Sequence, residues 1–182
     1  MTITETQLLK VIPKSASKVK IYVPVINKYA DTFSIDTPLR LSHFIAQCLH
    51  ETSEFLHVRE LGNEAYCRKY EGGKLAKMLG NTQKGDGYKY KGRGLLQLTG
   101  RANYQAYQDS QYCNGDIIAN PNLLEQPTGA VKSAMWYWMK RGLNRLADKD
   151  DFLDITKVIN GGTNGLESRR RYLTKCKAAF GA

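Results

Sequence analysis

The sequence predicts a mainly α-helical single domain with few or no short β-strands. Three observations carry that class. Apolar residues recur at three- and four-residue spacing over most of the chain, helix start and stop residues bracket those stretches, and two-residue alternation is scarce. The length of 182 residues suits one domain over 1–182 with no separate binding module. At 42% hydrophobic and 24% charged residues, the composition is that of a folded globular protein and excludes a disordered or fibrous chain. In the first half the longest run without charge is Leu41 to His50, well short of the roughly 20 apolar residues of a membrane span. The start, Met1-Thr2-Ile3-Thr4-Glu5, has no basic or apolar signal region, so the chain is expected to be made and first held in the cytoplasm.

Taken in order, Thr4-Glu5 followed by Leu8, Leu9, Val11 and Ile12 predicts a short capped helix stopped before Pro13. Val19 to Phe33 keeps helical spacing despite Pro24. Asp36-Thr37-Pro38 is a strong start signal for a helix from about residue 38 to about 56, with Leu41, Phe44, Ile45, Cys48 and Leu49 along one side. Leu61 to Met78 is a second helical pattern interrupted by Gly72-Gly73, and Gly80 to Gly94 is expected to be loop or short irregular strands. A polar, tyrosine-rich helix is expected from Asn103 to Tyr112, then turns at Asn114-Gly115 and Asn120-Pro121. Thr128 opens a helix whose stripe of Val131, Ala134, Met135 and Trp138 predicts core, as does Trp136 beside it. Asp151 to Ile159 is a short helix ended by Asn160-Gly161-Gly162, and Leu166 to Phe180 is the last.

Cys48, Cys67, Cys113 and Cys176 show no C-x-x-C pair, so buried free thiols are expected rather than a zinc ribbon. His43, His50 and His57 recur every seven residues, which on one helix is about 10.5 Å of rise. That is too far for two imidazoles on one zinc at about 2.0–2.1 Å each. His50-Glu51-Thr52-Ser53-Glu54 starts like H-E-x-x-H but has Glu54 where the second histidine must stand. No metal or other cofactor is expected.

Two segments carry chemistry. In the first, Glu51 follows the apolar face of its helix, with Leu49 and Phe55 as apolar neighbours; a partly desolvated carboxyl of this kind suits a general acid. Glycoside hydrolysis needs two carboxyl groups, about 6.5–9.5 Å apart when inverting. Glu60 lies nine residues on, about 13.5 Å along an unbroken helix. If the two work together, the helix must end between them. The second segment runs from Tyr88 to Tyr104 and includes Tyr90-Lys91-Gly92-Arg93-Gly94 and Gln97-Leu98-Thr99-Gly100. Its glycines fit neither a Walker A loop nor G-x-G-x-x-G. They leave a backbone that a ligand can approach closely, flanked by the amides, hydroxyl and tyrosines that grip sugars.

These segments, together with Ile35-Asp36-Thr37-Pro38, Phe44-Ile45-Ala46-Gln47, Asn103-Tyr104, Asn120-Pro121-Asn122-Leu123-Leu124 and Ile159-Asn160-Gly161-Gly162-Thr163-Asn164-Gly165-Leu166, resemble glycoside hydrolase family 19. This is the group of chitinase-like lysozymes that includes many bacteriophage endolysins, and the resemblance runs from the first helix to the end of the chain. It implies a lysozyme-like helical fold with a substrate cleft and inverting hydrolysis of β-1,4 bonds in an N-acetylated glycan. Glu51 would be the general acid, Glu60 the general base, and Thr99 the group that holds the attacking water. Gln97, Asn103 and Asn160 would bind sugar, Tyr90 would line the cleft, and Arg169 would stand near the acids and keep Glu60 charged through a network. Where many relatives carry glycines after H-E-T, this chain has Ser53-Glu54, so Glu54 either shapes the site or competes with Glu60 for the base role. The compact stretch between the acids favours a lysozyme acting on the bond between N-acetylmuramic acid and N-acetylglucosamine over a chitinase.

A formal charge of +10 is spread along the chain, whereas nucleic-acid binders gather charge on one element. No nucleic-acid partner is expected, and a DNA-binding module would leave Glu51 and Glu60 without a role. The dense run Arg169-Arg170-Arg171 could meet an anionic cell surface or simply face solvent. The expected partner is the peptidoglycan glycan strand. The expected form is a monomer, released from the host cytoplasm with the help of a separate holin-type protein.

Overall fold

The computed structural model describes residues 1–182 and is mainly helical, with two isolated bridges, Arg59 with Arg93 and Arg93 with Leu98, in place of strands. The chain divides into two compact units, Met1–Leu56 with Met135–Ala182, and His57–Ala134.

In the first unit, α1 (Glu5–Val11) starts with a capping box: the Thr4 hydroxyl accepts from the Gln7 N–H and the Gln7 side chain accepts from the Thr4 N–H. The next helix, α2 (Ala16–Tyr29), runs through Pro24 because Val19, Tyr22, Val23 and Ile26 stay on a buried face. That burial offsets the interior proline, which costs about 3 kcal/mol. Helix α3 (Pro38–Glu51) begins as the sequence predicts, with Thr37 capping the Arg40 N–H and Pro38 in the first turn. Every residue from Leu41 to Leu49 is buried. It is the central helix of this unit, packing against α11 (Leu166–Phe180) and α9 (Leu143–Ala147).

Helix α3 ends at Glu51, not near residue 56. The Thr52 hydroxyl donates to the Cys48 carbonyl at 2.6 Å and accepts the Phe55 N–H at 2.8 Å, and Ser53, Glu54 and Phe55 turn left-handed. The sequence gives no sign of α9. There Asn144 ties the helix down, accepting from Trp138 Nε1 at 2.8 Å and donating to the Phe33 carbonyl at 3.0 Å. Helix α10 (Phe152–Asn160) is capped by Asp151 and stops at the left-handed Gly161. Helix α8 (Pro127–Lys140) enters this unit at Met135 and buries Trp136 and Trp138, the latter edge-on to Phe44 at 5.5 Å.

In the second unit, the pattern from Leu61 to Met78 becomes α4 (Glu64–Cys67), a 3-10 turn at Arg68–Tyr70 and α5 (Gly73–Leu79). Within the expected loop lies one short helix, α6 (Asp86–Lys89), and α7 spans Arg101–Gln108. Cys48, Cys67 and Cys176 are buried free thiols, and Cys113 is half-buried and free.

Candidate active site

Glu51 is the last residue of α3, so the helix fixes its backbone. Its Oε1 accepts from Arg169 Nη2 at 2.6 Å, and Arg169 is 1% exposed. The guanidinium also donates to Gln47 Oε1 at 2.6 Å and to the Asn164 carbonyl at 3.2 Å. Gln47 in turn donates to Thr156 Oγ1 at 3.1 Å, and both are fully buried. A chain of Thr156, Gln47 and Arg169 thus holds Glu51 from one side, each polar group of the chain bonded to the next. The neighbouring His50 lies against Gly165, where an added Cβ would fall 2.3 Å from the ring, and pairs through Nδ1 with Ser168 Oγ at 3.0 Å. Burial, with the charge of Arg169 adding to it, lowers the His50 pKa and keeps the imidazole neutral near pH 7. Asn160 ends α10 with a buried Oδ1 that meets no donor.

Glu60 belongs to the second unit. Its Oε1 accepts from the Tyr70 hydroxyl at 2.8 Å with Lys69 Nζ 3.6 Å away, and its Oε2 accepts from the Gly92 N–H at 3.3 Å. The Glu60 N–H returns a bond to the Gly92 carbonyl at 2.8 Å. Burial, reinforced by the hydrogen bond to Glu60, pushes the Tyr70 phenol up to about 12, so it stays a donor. Gly92 is the pivot of this cluster. A Cβ there would stand 2.8 Å from Gln97 Oε1 and 3.2 Å from Thr99 Oγ1, so only glycine lets Gln97 and Thr99 crowd the backbone that grips Glu60. The Thr99 hydroxyl donates to the Gln97 carbonyl at 2.8 Å, which leaves its lone pairs to accept. Asn103 Nδ2 donates to the Thr99 carbonyl at 2.7 Å and fixes that residue.

Each residue singled out in the sequence therefore has a definite place. Glu51, Arg169 and Asn160 lie in the first unit, and Glu60, Gln97, Thr99 and Asn103 in the second. Two expectations are corrected. Tyr90 is fully buried, edge-on to Tyr104 at 5.2 Å with its hydroxyl on the Ile118 carbonyl, so it is core and cannot line a sugar site. Arg169 pairs with Glu51 inside the first unit, and its burial removes it from any surface run, leaving only Arg170 and Arg171 exposed there. Glu54 accepts from Ser15 Oγ at 2.7 Å and from the Tyr172 hydroxyl at 3.1 Å.

Sequence reasoning missed Gln47, Thr156, Lys69 and Tyr70. For Gln47 the signal was present, a polar residue amid an apolar helix face; for the others there was none. No three His, Cys, Asp or Glu side chains converge as a metal-ligand set.

The model of the family described as chitinase class I, glycoside hydrolase family 19, matches residues 29–153. A glycosyl hydrolase family 19 domain-containing protein of Haemophilus influenzae is 30% identical over 93% of this chain and 92% of its own length. The endochitinase of Pisum sativum is 34% identical over 42% of this chain, which is 29% of that protein. Among solved structures, chitinase C of Streptomyces griseus matches with a TM-score of 0.76 at 23% identity, covering 99% of this chain and 93% of that one.

Proposed function

The chain belongs to glycoside hydrolase family 19, and on that premise we propose that it is an endolysin. In this reading residues 1–182 act as one catalytic domain that hydrolyses the β-1,4 bond between N-acetylmuramic acid and N-acetylglucosamine with inversion. Glu51 delivers a proton to the leaving oxygen, and Glu60 takes one from the attacking water. Gln97, Asn103 and Asn160 bind the sugar, the orphaned Asn160 Oδ1 by accepting from an N-acetyl N–H or a hydroxyl.

The observation that carries the reading is the Gly92 cluster. A water that donates one hydrogen to Glu60 and the other to Thr99 Oγ1 keeps a lone pair free for the anomeric carbon. The Thr99 hydrogen, already spent on the Gln97 carbonyl, leaves that oxygen ready to accept. Net charge favours peptidoglycan over chitin: a +10 protein gains long-range attraction from the carboxylates of wall peptides and none from neutral chitin. In the same reading the enzyme is a monomer that reaches the wall from the host cytoplasm through a lesion made by a holin-type protein. The exposed Arg170 and Arg171 would meet anionic groups of the cell surface.

The test is digestion of purified Gram-negative sacculi, with mass spectrometry of the fragments. New reducing muramic acid ends, formed equally in EDTA, are expected; cleavage of chitin oligomers with sacculi intact would turn the reading to a chitinase. Gly92→Ala tests the cluster. Its Cβ meets the side chains of Gln97 and Thr99 rather than backbone, so stability should fall by no more than about 1–2 kcal/mol. The rate should fall by about tenfold or more, since small misplacements near reacting atoms are costly. A melting curve and a rate on the same sample check both, and an unchanged rate would remove the cluster from the mechanism.

A further inference from the structure

Directly after Glu51 the backbone takes a strained course. Ser53, Glu54 and Phe55 have φ of 49°, 61° and 66°, the left-handed region where glycine is the economical residue. Three such residues in succession persist only where their surroundings hold them. The Glu54 N–H reaches the Leu49 carbonyl at 2.8 Å, and the buried Phe55 ring packs on Tyr22 with centroids 4.7 Å apart. The Thr52 hydroxyl accepts the Phe55 N–H at 2.8 Å, and a further hold is the Glu54 carboxylate, which accepts Ser15 Oγ on Oε2 and the Tyr172 hydroxyl on Oε1.

Two details tie this carboxylate to Glu51. Ser15 stands at the N-cap of α2, yet its side chain makes no capping bond there and is directed to Glu54. Tyr172 lies three residues after Arg169 on α11, just as Glu54 lies three residues after Glu51. The pairs Arg169–Glu51 and Tyr172–Glu54 are therefore two rungs between the same segments, with His50–Ser168 as a third contact beside them.

We infer that Glu54 is a positioning residue for Glu51, the second rung of a splint by which α11 fixes the end of α3, and not a competing base. Both of its oxygens bind hydroxyls of the helices that hold the turn, Ser15 at the start of α2 and Tyr172 on α11. The inference rests on the reading of Glu51 as the general acid.

The experiment compares Glu54→Gln, Glu54→Ala and Glu54→Gly with Glu51→Gln on dye-labelled sacculi, reading apparent kcat and KM. Gln keeps both bonds, its amide oxygen accepting from one hydroxyl and its amide N–H donating to the other, so kcat should stay within about threefold of wild type. Ala loses both and keeps a side chain at φ 61°. Its kcat should drop by about tenfold or more at little-changed KM. Gly should recover part of that loss, because it tolerates the left-handed turn. If Glu54→Ala does not fold, Ser15→Ala with Tyr172→Phe removes the same two donors while leaving the turn's own residues in place, and should show the same fall in kcat. A Gln variant as inactive as Ala would overturn the inference in favour of a chemical role for the carboxylate. A wild-type kcat in Glu54→Ala beside an inactive Glu51→Gln would overturn the inference alone, and an active Glu51→Gln would remove the acid reading and this inference together.

Discussion

Glu51→Gln is expected to lower glycan hydrolysis by about a thousandfold, within the range that removing a positioned general acid costs. The reasoning is geometric. Glu51 Oε1 is taken up by Arg169 Nη2 at 2.6 Å, which leaves Oε2 to carry the proton delivered to the leaving oxygen. Glutamine reproduces the shape and still accepts from the guanidinium through its amide oxygen, but it has no acidic proton to deliver. Because that contact survives, the fold should survive too, at a cost of about 1–3 kcal/mol for weakening a charge-assisted hydrogen bond. Rates on sacculi, corrected for the folded fraction from a melting curve, make the measurement. A variant that releases reducing ends within tenfold of wild type would remove Glu51 from the acid role, and the search would move to other carboxyl groups.

Some of this arrangement could be read from the sequence, and the reasons why are local. Thr37-Pro38 fixes the start of α3 because a cap and a proline act through the first turn alone. The stripe on α8 shows in Val131, Ala134, Met135 and Trp138 because helical period and burial coincide there. The end of α3 was hidden, since Leu49 and Phe55 continue the apolar pattern. Both are fully buried, but Phe55 reaches the interior through a left-handed turn that periodicity does not register. The resemblance puts Tyr90 in the cleft, whereas its ring is buried and packs inward on Tyr104. The partners of the acids were illegible for a different reason. Arg169 is 122 residues from Gln47, and Tyr70 lies in a polar segment ten residues from Glu60. Spacing along the chain carries no information about such pairs. The resemblance pointed to an arginine near the acids, and only coordinates show which acid it holds.

Arg169→Met should produce the largest loss of stability. The guanidinium is 1% exposed and bonds Gln47 Oε1, Glu51 Oε1 and the Asn164 carbonyl together. Methionine fills much of the same space but leaves those acceptors unpaired, with Gln47 fully buried. Breaking a buried pair from one side costs about 3–5 kcal/mol, which for a chain of this size lowers the melting temperature by on the order of 10 °C. Arg169→Lys should fall between, because one ammonium is a compact point charge and cannot span the three acceptors as a planar fork does. The Glu51→Gln background separates the charge from the packing. If the penalty comes chiefly from stranding the Glu51 carboxylate, Arg169→Met should cost at least about 1 kcal/mol less there, a coupling within the range for residues in direct contact. Additive losses across that cycle would place the cost in Gln47 and the Asn164 carbonyl, and would make Arg169 a strut of the interior before it is a partner of the acid.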